Sequence, residues 1–241
     1  MRTVIMGDIH LGSPLCRARL LRRVLEEVPM DRLVLNGDIF DDVNFRRFNA
    51  DHWGVLQTVR ALSERIEVVW IRGNHDGPAQ MLEPLLGIRV HDDFGFRYRG
   101  EAVFVTHGDA YDEIQRSAQQ FRELRRHLHG LVIWFDVPRK TAIRLAQRAS
   151  SVFARAAERV KRRALADGMK RGARWVVVGH THHREEDEEN GMGFFNPSSW
   201  LTPHPAFVLF DEDEPAPRLV AIDDQRLTLA ARAHARRKEN P

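Results

Sequence analysis

Five short blocks of this chain carry side chains able to hold divalent cations, and each follows a run that reads as a buried strand. They are Asp8-Ile9-His10, Gly37-Asp38, Gly73-Asn74-His75-Asp76, His107-Gly108-Asp109 and Gly179-His180-Thr181-His182. Each block alone has an ordinary explanation. Asp-Ile-His after a strand is a turn or cap, Gly-Asp is a common loop, and a lone histidine is most often simply hydrogen-bonded. Together they repeat one chemistry at strand exits, where open α/β sheets put their ligand sites. Imidazole, carboxylate and amide donors suit divalent first-row ions: manganese, iron, cobalt, nickel or zinc. A carboxylate can bridge two such ions, and a two-metal site suits in-line displacement at phosphorus. No cysteine falls in these blocks, which excludes thiolate zinc chemistry.

The intervening sequence must supply the elements that position these blocks. Residues 3–6, 33–35 and 68–71 are short apolar runs and read as buried strands. Leu20, Leu21, Val24, Leu25 and Val28 repeat at helical spacing up to Pro29, and Trp53, Leu56, Val59 and Leu62 suggest a second helix. Strand, helix, strand, helix, strand indicates an α/β domain with at least partly parallel pairing. A short helix is expected near residues 81–86. Residues 96–98 and 102–106 read as a hairpin turning at Arg99-Gly100-Glu101. Residues 174–178 resume the sheet. The acidic run 185–189 is expected to be a solvated turn, and residues 194–195, 206–210 and 219–222 to be strands completing a second sheet. Trp70 and Trp175 are most simply core residues.

From about residue 110 to 172 the pattern becomes helical and basic. Residues 115–172 hold fifteen Lys and Arg against four acids. Pro138 divides the stretch into two arms joined by the apolar residues 131–137. In the second arm Leu145, Ala149, Val152, Ala156 and Val160 share one face, with Arg144, Arg148, Arg155, Arg159 and Arg162 on the neighbouring one. The expectation is a helical cap, 110–172, inserted in a single domain spanning 1–241. The tail from Ala230 reads as frayed or a surface helix.

At 241 residues and 43% hydrophobic content the chain can bury a substantial core, and its net charge of +3 is unremarkable. The lone Cys16 excludes an intramolecular disulfide. With no visible signal peptide or bilayer-length apolar run, a soluble cytoplasmic protein is expected, at most peripheral to the inner face of a membrane.

The five blocks occur in the order found in the calcineurin-like metallophosphoesterases, which the chain resembles from residue 3 to 182. That resemblance implies a two-sheet αββα sandwich, here with the inserted cap, and a dinuclear metal site above the strand ends. It implies that Asp8, His10 and His182 hold a first metal, that Asp38 bridges, and that Asn74, His107 and His180 complete a second. It further implies that a metal-bound hydroxide attacks phosphorus in line. His75 then stands by the leaving group as proton donor or charge stabiliser, and Asp76 orients it. Asp41, Asp42, Asp109, Asp112 and His183 flank the blocks as candidates for supporting or substrate contacts.

Within that superfamily, length, a near-minimal core and the cap resemble the UDP-2,3-diacylglucosamine pyrophosphohydrolase group of lipid A synthesis. The resemblance implies manganese, a membrane-surface substrate and a cap that encloses acyl chains. Arg144 and Arg148 would then meet anionic headgroups or a pyrophosphate. Two departures stand against it: His75 replaces the arginine typical of that group, and the cap sequence is not a close match. A general phosphodiesterase of nucleotides or nucleic acid is the alternative, favoured by His75 and weakened by the scarcity of stacking aromatics in the cap. A non-catalytic scaffold of the same fold is a third reading, but no motif residue is missing. The cap arginines could equally be solvated or satisfy the acidic run at 185–189.

Overall fold

Two β-sheets pack face to face between two layers of helix in a computed structural model that describes residues 1–112 and 139–222, the side chains of 139–153 excepted. The first sheet begins with β1 (Arg2–Met6), β2 (Arg32–Asn36) and β3 (Glu67–Ile71), joined through α1 (Ala18–Glu27) and α2 (Ala50–Ser63). These strands pair in parallel, β1 with β2 and β2 with β3, so their C-terminal ends share one edge. Covered on both faces, they read as continuous apolar runs. Period-two alternation still sorts them. Val4, Met6, Leu33, Leu35 and Trp70 face α1 and α2, whereas Ile5, Val34, Val69 and Ile71 face the second sheet. The α2 N-terminus is closed by a capping box, with the Asn49 side chain accepting from His52 N and the His52 ring facing Asn49 N.

After α3 (Ala79–Leu86) and β4 (Val90–His91), the hairpin forms from β5 (Asp93–Tyr98) and β6 (Glu101–Thr106). Its two-residue turn is Arg99-Gly100, both at positive φ (50° and 84°), the geometry that matches strand twist. Helix α4 (Arg139–Lys170) then leads into β7 (Ala173–Val178), β8 (Glu185–Glu189), β9 (Met192–Asn196), β10 (Ala206–Asp211) and β11 (Arg218–Ala221). The sheet orders are β11-β10-β1-β2-β3-β4 and β5-β6-β7-β9-β8. β6 and β7 are parallel, so their C-terminal ends also lie together.

Three sequence expectations change. The acidic run is a strand, not a solvated turn: β8 pairs antiparallel with β9 across Asn190-Gly191, and its charge suits an open sheet edge. Strands β10 and β11 extend the first sheet rather than the second, because β10 pairs antiparallel with β1. Trp53 is 41% exposed instead of buried with Leu56 and Val59; it leans on Phe48, ring centroids 5.1 Å apart. Trp70 is fully buried, and half-buried Trp175 lies under the Arg174 guanidinium.

The C-terminal part of α4 is part of the sandwich. Val160, Ala164 and Leu165 pack on Phe104, Val176, Val178 and Phe194 of the second sheet. Lys161, 5% exposed, reaches Glu185 Oε1 at 2.7 Å and also pairs with Asp187 on β8. Part of the acidic run is thus satisfied from the basic segment. Residues 139–159, roughly 30 Å of helix at 1.5 Å per residue, precede this packed part. They lie toward the strand ends that carry the motifs, since Val160 sits beside Gly108 and Val178. The first helical arm with its apolar residues 131–135, the tail from Ala230, and the side chains of Arg144 and Arg148 lie outside the described residues. Among the described residues no helix is long and apolar enough to cross a membrane.

Lys161→Ala would leave two carboxylates on β8 facing Phe194 without their cation. It should lower stability by about 2 kcal/mol in urea unfolding; a change within about 0.5 kcal/mol, the range of an ordinary surface substitution, would contradict the pairing.

Candidate metal centre

The strand exits of both sheets close on one another through their backbones. Asp8 N donates to Gly37 O and His10 N to Asp38 O, both at 2.9 Å, which ties the loop after β1 to that after β2. Gly179 N donates to His107 O at 3.0 Å, doing the same for β7 and β6. The sheets are joined by His180 N, which donates to the Asp8 carboxylate at 3.0 Å. Asp8, His10, Asp38, His180 and His182 all sit at φ between 50° and 67°, in the left-handed region. For residues with a Cβ this costs on the order of 1 kcal/mol each and persists only where the surroundings enforce it. Gly73 permits one such close approach: a Cβ there would lie 2.3 Å from both Asp38 N and Asp38 Oδ1.

Among the described residues, two of the resulting clusters of ligand atoms include Asp38. Asp8, His10, Asp38 and His182 form one, and Asp38, His107 and His180 the other, with the ligand atoms of each within 4.8 Å of one another. In the first, His10 Nε2 and His182 Nε2 are 3.1 Å apart, and His182 Nε2 is 3.2 Å from Asp8 Oδ1. His10 Nε2 is 3.8 Å from Asp38 Oδ2, and His107 Nε2 approaches the same oxygen to 3.4 Å from the other side. Asn74 joins the second cluster, its Oδ1 2.9 Å from His180 Nδ1. All seven expected ligands are therefore brought together.

Two of these histidines are held from behind as metal ligands are. His107 Nδ1 donates to the Asn36 carbonyl at 3.0 Å, which leaves Nε2 as the ligand atom; it is buried and without a hydrogen-bond partner among the described residues. His180 Nε2 faces the Asp112 carboxylate at 3.2 Å, so its proton belongs there and Nδ1 presents a lone pair beside the Asn74 oxygen. A ligating histidine held from behind by a carboxylate or carbonyl is the arrangement metal sites use. Burial opposes charge on Asp38, yet the charges and hydrogen bonding of His107, His75 and His10 hold its carboxyl below the usual range. Burial likewise opposes charge on His107, but Asp38 outweighs it and raises the imidazole pKa. Burial lowers His10 to about 4 and also lowers His180, keeping both rings neutral and free to ligate. For His182, burial is offset by the hydrogen bond and charge of Asp8, and its pKa rises.

His75 is oriented differently from the sequence expectation. Its Nδ1 donates to the Asp41 carbonyl at 2.8 Å, and its backbone N donates to Asp38 Oδ1 at 2.8 Å. The Asp76 carboxylate does not orient that ring. It accepts from Phe40 N (3.1 Å), Gly73 N (3.0 Å) and Trp70 Nε1 (3.4 Å), pinning the two loops together from below. Burial and the nearby Asp38 charge lift its pKa to about 6 against those backbone bonds. Among the other flanking candidates, Asp41 and Asp112 reach site histidines. Asp42 pairs with Arg47 instead, His183 is exposed, and Asp109 lies in the turn after His107.

Residues 196–200 support the site without any signature the sequence reading could use. Asn196 Nδ2 holds Gly179 O at 3.0 Å and Thr181 Oγ1 at 2.9 Å. Ser199 Oγ and Trp200 N both donate to the Asp8 carbonyl at 3.0 Å. These residues act on backbone carbonyls, so residue type and spacing do not reveal them.

A two-sheet sandwich with paired Asp/His clusters at its strand ends defines a metal-dependent phosphoesterase class. The chain belongs to the calcineurin-like phosphoesterase family, whose model matches residues 1–184. It is 24% identical over 169 residues to a UDP-2,3-diacylglucosamine hydrolase from Shewanella sp. (strain MR-4), covering 63% of this chain and 66% of that protein. It is 23% identical over 158 residues to the protein of that name from Shewanella pealeana, covering 61% and 64%. The matches thus span about two thirds of these relatives' length. Yfce, a phosphoesterase from E. coli, shares the fold, with a TM-score of 0.51 and 17% identity over 92% of this chain and 100% of that one.

Gly73→Ala would drive a methyl group into Asp38. It should abolish tight uptake of divalent metal, measured by metal analysis after dialysis, while leaving helical content by circular dichroism near wild type. Gly172→Ala, at positive φ but in open space, should keep its metal.

Proposed function

We propose that the chain hydrolyses a phosphodiester or pyrophosphate bond at two divalent ions that share Asp38, with a nucleotide-linked lipid such as UDP-2,3-diacylglucosamine as substrate. The sharing of one buried carboxylate by both clusters carries the chemical half of this reading. The relatives' name supports the substrate half. Asp8, His10 and His182 would hold one ion, Asn74, His107 and His180 the other, and manganese is the expected metal. When bound, such ions lower the pKa of a coordinated water and offset charge on phosphoryl oxygens.

The chain's own residues do the rest. Asp38 would hold both ions, since its carboxylate belongs to both clusters. His75, held at Nδ1, turns Nε2 to the site as proton donor or charge stabiliser for the leaving oxygen. In this reading the segment 110–172 carries the cap, its residues Arg144 and Arg148 bind the anionic part of the substrate, and the protein works in the cytoplasm against the inner face of the membrane. The position of residues 139–159 past the motif-bearing strand ends supports this role. A general phosphodiesterase is the second reading, favoured by the histidine at position 75. Completeness of both clusters argues against a non-catalytic scaffold.

Hydrolysis of UDP-2,3-diacylglucosamine by Mn2+-loaded protein tests the substrate, with bis(p-nitrophenyl) phosphate alongside. Release of UMP supports the lipid reading; cleavage of the model diester alone rejects it in favour of the second. Asp38→Ala should abolish both activities and lower metal content. His75→Ala should keep both ions and slow turnover roughly 10²–10⁴-fold; loss of metal in that variant would contradict its assigned place.

A further inference from the structure

We infer that helix α4 is part of the scaffolding of the metal centre, with Arg163 and Tyr111 as positioning residues that set Asp112 behind the ligand His180. The inference rests on the metal-centre reading above. His180 and Asp112 are both buried, and the Asp112 carboxylate accepts from His180 Nε2 at 3.2 Å. A carboxylate in that place orients the ring and strengthens the opposite nitrogen as a ligand, provided that it is itself held still. Asp112 closes the short turn Asp109–Tyr111, just after β6 has delivered His107, and its backbone N donates to Asp109 O at 3.1 Å.

Helix α4 grips that turn from outside the sheet. Arg163 Nη1 donates to the Tyr111 carbonyl at 3.0 Å. That carbonyl and the Asp112 N–H share one peptide plane, so the plane is held at both ends. The Tyr111 hydroxyl donates to Asp167 Oδ2 at 2.9 Å. Arg171 lies 3.6 Å from Asp167 and 2.9 Å from Asp93 on β5, with its guanidinium over the Phe104 ring. Where the turn begins, a Cβ on Gly108 would lie 2.6 Å from Val178 Cγ1 and 3.2 Å from Val160 Cγ1, so α4 meets the backbone there directly. Val160, Arg163, Asp167 and Arg171 recur every three or four residues and share one face of the helix. Lys161, one residue on from Val160, ties the same helix to β8 instead. Because α4 is continuous from Arg139 to Lys170, the rod that passes the strand ends also carries the groups that hold Asp112.

Calorimetric titration with Mn2+ at fixed pH tests this on the full-length wild type, Asp112→Asn, Arg163→Met, their double variant, Tyr111→Phe and Lys161→Ala. Melting of the metal-free proteins and hydrolysis of bis(p-nitrophenyl) phosphate are followed in parallel. Asp112→Asn should weaken one of two Mn2+ sites roughly 10–100-fold and spare the other. Arg163→Met and Tyr111→Phe should weaken the same site by less, and their lost activity should return at saturating Mn2+. The double variant should be no worse than Asp112→Asn, since Arg163 acts through Asp112. Lys161→Ala should melt earlier yet keep both affinities, which separates a loosened helix from a displaced Asp112. Unchanged affinities in Arg163→Met, additive losses in the double variant, equal weakening of both sites, or a matching loss in Lys161→Ala would each overturn the proposal. If Asp112→Asn does not fold, the contrast between Arg163→Met and Lys161→Ala decides. A wild type that binds fewer than two Mn2+ would overturn the metal-centre reading, and this proposal with it.

Discussion

A carboxylate buried at the meeting point of two sheets is costly unless cations or donors surround it, and the strand ends of this protein are built around one such group. Asp38 is 2% exposed. One of its oxygens accepts from the His75 backbone, and the other lies between His10 and His107. The loops pay for this convergence with left-handed backbone at Asp8, His10, Asp38, His180 and His182. The parallel strands supply the rigidity that holds the strain: β1, β2 and β3 from one sheet, β6 and β7 from the other. Separate any of these loops from its neighbour and the Asp38 charge loses the partners that stabilise it.

The ligands were legible in the sequence because metal chemistry demands particular side chains, and strand exits repeat at readable intervals. Asp8, His10, Asp38, Asn74, His107, His180 and His182, the ligands that the family resemblance implied, all converge. The supporting residues were not legible in the same way. Asn196 and Ser199 hold backbone carbonyls, which any donor of suitable length can do. Asp76 was assigned to His75 through the family resemblance. Its side chain turns instead to Phe40, Gly73 and Trp70, because a buried carboxylate goes where backbone donors are.

The fold divides along similar lines. Continuous apolar runs announced β1, β2 and β3, and two strand-like runs joined at Arg99-Gly100-Glu101 announced the β5–β6 hairpin. β8 was missed because five consecutive acids carry no strand periodicity; pairing with β9 and the cation of Lys161 overrode composition. Sheet membership of β10 was equally invisible, since antiparallel pairing with β1 joins residues some two hundred positions apart in the chain. Helix α4 is a basic segment whose C-terminal part packs into the fold. Its end beyond Val160 is a structural wall of the second sheet, and its beginning lies toward the site.

Anomalous diffraction from crystals soaked in Mn2+ tests the central claim most directly. Two peaks are expected, one on either side of Asp38: the first within coordination distance of Asp8, His10 and His182, the second of Asn74, His107 and His180. A single peak, or two that do not share Asp38, would contradict the account.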